Sequence, residues 1–197
     1  MTQRLARIHR KTRETDIHLD LALDGGGQHD ISTGIPFFDH MFTLFAVHGF
    51  FDLQIQAIGD LDVDYHHTIE DLGLALGQAF DQALTDRRGI RRYGHQVIPM
   101  DEALTAVTVD LSNRPYLVYH VPGNHGIAAG QDYTGLTKEF MQALAVKAGM
   151  NLHLNVFYGQ NEHHILESMF KALGRAMDKA CSIDSRVRGV LSSKGAL

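Results

Sequence analysis

The sequence predicts an α+β fold: duplicated ββαβα half-domains, their sheets backed by helices. Three observations carry that reading. First, the pentad His-His-x-x-Glu occurs twice, as His66-His67-Thr68-Ile69-Glu70 and His163-His164-Ile165-Leu166-Glu167, 97 residues apart. By chance a chain of this composition would hold about 0.02–0.03 copies. Second, an apolar stripe follows each copy at the same offset. Ile69, Leu72, Leu76, Phe80 and Ala83 align with Leu166, Met169, Leu173, Met177 and Ala180. Spacings of three, four, four and three mark one face of a helix. Third, an alternating strand precedes each helix: Leu53, Ile55, Ala57 in one half and Leu152, Leu154, Val156 in the other.

The elements follow in chain order. Residues 16–23 alternate as a strand, Gly25-Gly26-Gly27 makes a turn, and residues 29–33 return. A helix spans about 39–48, with Gly49 as its stop. The strand at 53–57 and a helix at about 68–85 complete the first unit. In the second, strands at 103–111 and 116–121 flank Ser112-Asn113-Arg114-Pro115, a hairpin-like turn. A helix at about 136–148, stopped at Gly149, the strand at 152–156 and a helix at about 165–181 repeat the order. The repeats are 1–92 and 93–181, joined near Arg87-Arg88-Gly89-Ile90-Arg91-Arg92 into one pseudo-symmetric unit. Residues 122–131 read as a Gly-rich loop, and 182–197 as a polar C-terminal tail without periodicity.

Composition narrows the function classes. Hydrophobic content of 44% and charged content of 21% suit a soluble globular chain. No apolar run is long enough for a membrane span, and the start lacks a secretory segment. A net charge of −5 argues against a general nucleic-acid binder. The single Cys181 has no disulfide partner and reads as a buried, reduced thiol of a cytoplasmic protein. The outlier is His, at 13 of 197 residues, and imidazole is the commonest metal ligand.

Helical geometry sharpens the metal reading. Positions i and i+4 share a face, while i+1 is turned by about 100°. His66 and Glu70 can therefore share one ion while His67 faces elsewhere; His163, Glu167 and His164 repeat the pattern. Three ligands per pentad cannot close two sites, so others must join from outside. His40 opens the first helix of one half, and Glu139 lies opposite it at an offset of 99. Imidazole and carboxylate donors without thiolate suit manganese, iron or zinc. Paired histidines also cap helices or lie on solvated surfaces, but the duplication cuts that reading to roughly one in ten. Arg92, Arg114 and Ser192-Ser193-Lys194 supply what a phosphate ester needs, though each alone is more often a solvated surface charge. Glu14 and Asp101-Glu102 are carboxylates beside strand-like sequence, available as general bases or merely exposed.

Together these residues resemble the imidazoleglycerol-phosphate dehydratase family. The resemblance runs from about Arg7 to Gly195. It is carried by Gly34-Ile35-Pro36-Phe37-Phe38-Asp39-His40-Met41, Asp64-Tyr65 with the first pentad and Asp71, Met100-Asp101-Glu102-Ala103, Asn113-Arg114-Pro115-Tyr116, Asn161-Glu162 with the second pentad, Phe170-Lys171-Ala172, and Ser192-Ser193-Lys194-Gly195. Residues 10–14 match as well.

The resemblance implies a ribosomal protein S5 domain 2-like fold and a lyase of L-histidine biosynthesis. The expected reaction is manganese-dependent dehydration of D-erythro-imidazoleglycerol phosphate to imidazoleacetol phosphate. It further implies two Mn²⁺ per active site and a homo-oligomer of 24 subunits that share their active sites. The expected form is a stand-alone cytoplasmic enzyme, with no phosphatase domain before Met1 and no nucleic-acid or membrane partner.

Carried over by position, the metal ligands are His40, His66, His67, Glu70, Glu139, His163, His164 and Glu167. The family usually has His where Glu139 stands, so His153 on the adjacent strand, or water, is the alternative eighth ligand. The substrate-binding positions are Glu14, His40, His48, His66, Glu70, Arg92, Arg114, Ser192, Ser193 and Lys194. Glu14 leads as the group that moves the carbon proton, ahead of His48 and Asp101. Metal on both ring nitrogens would favour an imidazolate able to expel the hydroxyl through a diazafulvene-like intermediate. On the residues alone, a binuclear metallohydrolase of a phosphorylated small molecule and a metal-binding module stay open.

Overall fold

A computed structural model describes residues 4–122 and 132–197, so all but Pro122 of the expected Gly-rich loop lies outside the described residues. The first repeat contains β1 (Leu5–Lys11), β2 (Thr15–Ala22), β3 (His29–Ser32), α1 (Pro36–Gly49), β4 (Asp52–Gly59) and α2 (His66–Leu84). The second contains β5 (Tyr93–Met100), β6 (Ala103–Asp110), β7 (Tyr116–His120), α3 (Tyr133–Lys147), β8 (Asn151–Tyr158) and α4 (Glu162–Cys181). Both ββαβα units are present, and each is led by one strand that the sequence did not announce. β5 carries Gly94 and Pro99, which blunt a strand signal. In β1 only Ala6 and Ile8 among the described residues are buried, too short an alternation to stand out.

Each repeat forms a four-stranded sheet, ordered β1-β2-β4-β3 and β5-β6-β8-β7. The first three strands of each pair antiparallel, and the last joins in parallel through a helical crossover. One face of each sheet is core. Ile17, Leu19, Leu21, Leu53 and Ile55 in one sheet, and Val107, Val109, Leu152, Leu154 and Val156 in the other, are at most 2% exposed. Their spacing of two puts them on the helix-facing side of the pleat. Burying each such side chain stabilises the fold by about 1.5–3 kcal/mol relative to exposure.

The helices interlock across the repeats. α2 lies on β1 and β2, and α4 on β5 and β6; α1 packs on α4, and α3 on α2. Glycines set how closely these pairs approach. A Cβ on Gly174 would meet Phe45 O at 2.6 Å, and one on Gly77 would meet Leu144 O at 2.8 Å. Gly77 and Gly174 are themselves 97 residues apart, so the crossing is duplicated along with the pentad.

All four helices run the same way. Early residues of α1 and α4 meet at His40 and Glu167, later ones at Phe45 and Gly174. Along α2 and α3 the contacts likewise advance from Gly73 with Phe140 to Gly77 with Leu144. Phe37 stacks on Tyr133 at 4.1 Å, joining the starts of α1 and α3. The four N-termini thus share one end of the molecule.

Three helices start about three residues earlier than expected, α1 at Pro36 among them, and neither expected hairpin forms, since β3 and β7 pair with β4 and β8 and not with β2 and β6. α3 and α4 start earlier because Asp132 and Asn161 cap them, accepting from Gly135 N at 2.8 Å and His163 N at 2.9 Å. α1 turns out through Phe50 (φ 56°), whereas after α3 the left-handed residue is Gly149 (φ 58°). Gly49 is needed for space instead, since a Cβ there would lie 2.5 Å from the Phe51 ring. The tail is not free. Ile183 bridges Ile90, Arg91 N donates to Ser182 O at 2.9 Å, and Gly89 N donates to Gly189 O at 2.9 Å. Cys181 is 2% exposed. Among the described residues, no helix is long and apolar enough to cross a membrane.

Candidate active site

The second pentad lies in the first turns of α4 and meets α1. His40 Nε2 is 2.9 Å and His163 Nε2 3.0 Å from Glu167 Oε1, while Lys171 Nζ donates to Oε2 at 2.6 Å. Glu167 is buried. Burial opposes its charge most strongly, yet hydrogen bonds from Lys171, His40 and His163 bring its carboxyl down to about 2. The donor atoms of His40, His163 and Glu167 all lie within 4.8 Å of one another.

The other histidine of each pentad turns away. The ring planes of His163 and His164 cross at 88°, and those of His66 and His67 at 76°. His164 Nδ1 is 2.7 Å from Glu102 Oε2, and its Nε2 is 3.8 Å from Asp101. Glu102 also accepts from Asn161 N at 2.8 Å and Gln160 N at 3.2 Å. The His164 hydrogen bond, then these amides, hold Glu102 down to about 2. In the first half, His67 Nδ1 is 3.0 Å from Asp60 Oδ2 and 3.9 Å from Glu14 Oε2. The hydrogen bond to Asp60 raises the pKa of His67, and that to Glu102 raises the pKa of His164. A carboxylate on Nδ1 fixes the tautomer and leaves Nε2 as the outward donor, the usual outer-shell support of a metal-binding imidazole.

The first half is looser. His66 Nε2 is 3.6 Å from Glu70 Oε2, and these side chains are 44% and 46% exposed. Among the described residues, no third donor comes within 4.8 Å of this pair, so Glu139, half-buried on α3, is not drawn onto it. His153 is worse placed. It is exposed on β8 between Leu152 and Leu154, which face the helices, so it projects from the opposite face of the sheet.

The expected phosphate groups do come together. An open cavity of about 1130 Å³ is lined by Arg91, Arg92, Arg114, Arg186, Arg188 and Lys194, with Ser192, Ser193 and Asp184. Asp110 holds Arg92 through Nε at 2.6 Å and Nη2 at 3.0 Å, and Nη1 donates to Leu191 O at 2.7 Å. One N–H each on Nη1 and Nη2 is left for an anion. His48 lies on α1, where burial, then the nearby Lys171 and Arg175, lower its pKa.

One pairing does not occur within a chain. Arg92 N donates to Ala180 O, at the C-terminal end of α4, at 2.9 Å. His163 and Glu167 open that helix, so the cationic cavity and this donor cluster are about 25 Å apart. Four residues outside the expected site set lie beside it: Asp60, Glu102, Lys171 and Asp110. Glu102 had a signal, as a carboxylate in the turn before a strand, and so did Lys171, four residues after Glu167 on one helix face. Asp60 and Asp110 meet their partners through the fold.

Comparison with known proteins agrees with this architecture. Residues 33–177 match the family model described as imidazoleglycerol-phosphate dehydratase. An imidazoleglycerol-phosphate dehydratase from Desulfosudis oleivorans is 55% identical, covering 99% of this chain and all of that protein. One from Geobacter sulfurreducens is 53% identical over 98% of this chain and 99% of its own length. The crystal structure of the Staphylococcus aureus enzyme superposes with a TM-score of 0.81 at 34% identity, over 91% of this chain and 99% of that one. The Pyrococcus furiosus structure gives 0.79 at 37% identity, over 96% of this chain and all of that one. The chain belongs to the imidazoleglycerol-phosphate dehydratase family, lyases of histidine biosynthesis.

Proposed function

We propose that the chain dehydrates D-erythro-imidazoleglycerol phosphate with two Mn²⁺ per active site, in an assembly of 24 subunits that complete one another's sites. The observation that carries this reading is the convergence of His40, His163 and Glu167 within 4.8 Å. This donor set of two imidazoles and one carboxylate, without thiolate, fits a divalent metal such as manganese. His40, His163 and Glu167 would hold one ion, with His66, Glu70 and Glu139 offering the related set and His67 and His164 facing other ions. When bound, the metals supply Lewis acidity that makes the substrate imidazole a better electron sink.

The chain's own groups do the rest. Arg92, Arg114, Ser192, Ser193 and Lys194 bind the phosphate, and Asp110 keeps Arg92 flat against the cavity wall. His40, His48, His66 and Glu70 line the approach to the ring and hydroxyls. Glu14 takes the proton from the carbon next to the ring. His48 and Asp101 are the remaining groups able to carry the proton to the departing hydroxyl, which leaves as water. The resulting enol then ketonises to imidazoleacetol phosphate. The roughly 25 Å along α4 between donor cluster and cationic cavity supports sharing between subunits, because so small a substrate cannot bridge it.

Incubation with imidazoleglycerol phosphate and Mn²⁺ tests the reaction. Ketone without phosphate release is expected, whereas phosphate release would establish the metallohydrolase and metal uptake with neither product the metal-binding module. Glu14→Gln should keep metal and substrate binding while turnover falls by about 10²–10⁴-fold. Light scattering of the full chain should return the mass of the assembly; an active monomer would remove the shared site.

A further inference from the structure

Glu14 sits in the turn between β1 and β2, half exposed at 52%, where little of its own side chain fixes it. The turn itself is fixed. Thr12 Oγ1 accepts from Glu14 N at 3.1 Å and from Thr15 N at 3.0 Å, and Thr12 N donates to Thr15 O at 2.9 Å. Thr15 Oγ1 then donates to Asp71 Oδ2 at 2.5 Å, and Arg10 Nη2 pairs with Asp71 Oδ1 at 2.8 Å. Asp71 is only 8% exposed and Thr15 4%. Asp71 follows Glu70 directly on α2. One buried carboxylate therefore fastens the Glu14 turn to the helix that carries His66, His67 and Glu70.

The other repeat ties the equivalent elements differently. Ser168, 97 residues beyond Asp71, follows Glu167 on α4, and its Oγ lies 2.6 Å from Thr105 Oγ1 on β6. Both are fully buried, and Ser168 also donates to Ile165 O at 2.8 Å. A neutral hydroxyl pair thus suffices to join strand and helix. A pair between a mostly buried carboxylate and a partly exposed guanidinium gains little stability, since desolvation of the carboxylate offsets much of its attraction. It does fix geometry, because two oxygens and a guanidinium allow few arrangements.

We propose that Asp71, acting through Thr15 and Arg10, is the positioning residue for Glu14, holding its carboxylate at a set distance from the His67 face of the site. This rests on the reading of Glu14 given above. Misplacing a reacting group by about 1 Å costs on the order of 100-fold in rate. The charged tie therefore stands where a carboxylate must meet a carbon proton, and the neutral tie beside the turn whose Glu102 orients an imidazole.

Thr15→Val removes the hydroxyl contact and keeps the shape; Asp71→Asn keeps an acceptor and removes the charge. Both should lower kcat by about 10- to 100-fold while KM and the number of bound Mn²⁺ stay within twofold of native. Thr15→Ser should restore the rate, and amide hydrogen exchange at Glu14 and Thr15 should quicken in the two slow variants. Native kcat in Thr15→Val and Asp71→Asn, beside an inactive Glu14→Gln, overturns the proposal. So does a fall in melting temperature with kcat unchanged, which marks a merely structural tie. Native turnover by Glu14→Gln overturns the role of Glu14 itself, a separate failure read from that variant alone.

Discussion

The two half-sites begin from the same pentad on the same helix start, yet one is closed and the other open. Around the second pentad, His40 from the first repeat joins His163 and Lys171 to surround Glu167 at 2.6–3.0 Å. In the first, His66 and Glu70 are 3.6 Å apart and about half exposed. Two substitutions at equivalent positions account for the difference. Lys171 has Leu74 as its counterpart, and His40 has Glu139. The second half therefore balances one carboxylate against one ammonium. The first has Glu70 beside His66 with no counterpart of the Lys171 ammonium, and Glu139 stays half-buried on α3, not drawn onto the pair. On the proposed two-metal reading, an ion would have to gather the donors of the open half, whereas those of the closed half already converge.

Four experiments would break or sharpen that contrast, taken from the largest effect down. Glu167→Ala strips the closed half of its central donor, so metal affinity there should fall by more than about 100-fold. Elemental analysis should then find one metal per chain lost, and retention of both would end the comparison. Glu102→Gln and Asp60→Asn remove the carboxylates behind His164 and His67, and should each weaken metal binding by about 10–100-fold. Calorimetric titration with Mn²⁺ would show whether the two halves suffer equally.

Lys171→Met leaves Glu167 buried beside two imidazoles only, and should destabilise the metal-free protein by about 1–3 kcal/mol. Thermal melts with and without Mn²⁺ should show that loss shrinking once the ion is bound. If the metal-free melt is unchanged, Lys171 is not what holds the closed half together.

The smallest effect is a pH window. Glu102, held at about 2 against an ordinary 4.5, contributes stability above pH 4.5 that is lost as pH falls towards 2. His164, raised above its ordinary 6.5, contributes below that pH and loses its share as pH rises through the raised value. The melting difference between native and Glu102→Gln metal-free protein should therefore be widest between pH 4.5 and 6.5. A difference that keeps growing at alkaline pH would contradict the His164 pairing.

Much of this was legible in the sequence for a physical reason. Helix periodicity and the offset of 97 are local signals, so the repeat, the shared His/Glu face of each pentad and the divergence of the paired histidines could be read directly. The resemblance also named Arg92, Arg114, Ser192, Ser193 and Lys194, which the fold brings to one cavity. Most of the misses are long-range, with Lys171, four residues after Glu167, the exception. Glu102 lies 62 residues from His164, and Thr15 lies 56 from Asp71, pairings that no periodicity encodes. β5 was hidden by Gly94 and Pro99, and the early starts of α3 and α4 by caps at Asp132 and Asn161 that apolar spacing does not register. Placing His153 required knowing which face of β8 is covered.

The length of α4 has a consequence for inheritance. If the cationic cavity of one copy serves the metal donors of another, a damaged chain is not inactive everywhere at once. A copy with Arg92→Ala still presents a sound donor cluster, and a copy with Glu167→Ala a sound cavity. Mixed in one particle, two such chains, each inert alone, would rebuild some intact centres from their undamaged halves. A cell carrying both alleles would then regain a fraction of the activity that neither allele supplies by itself.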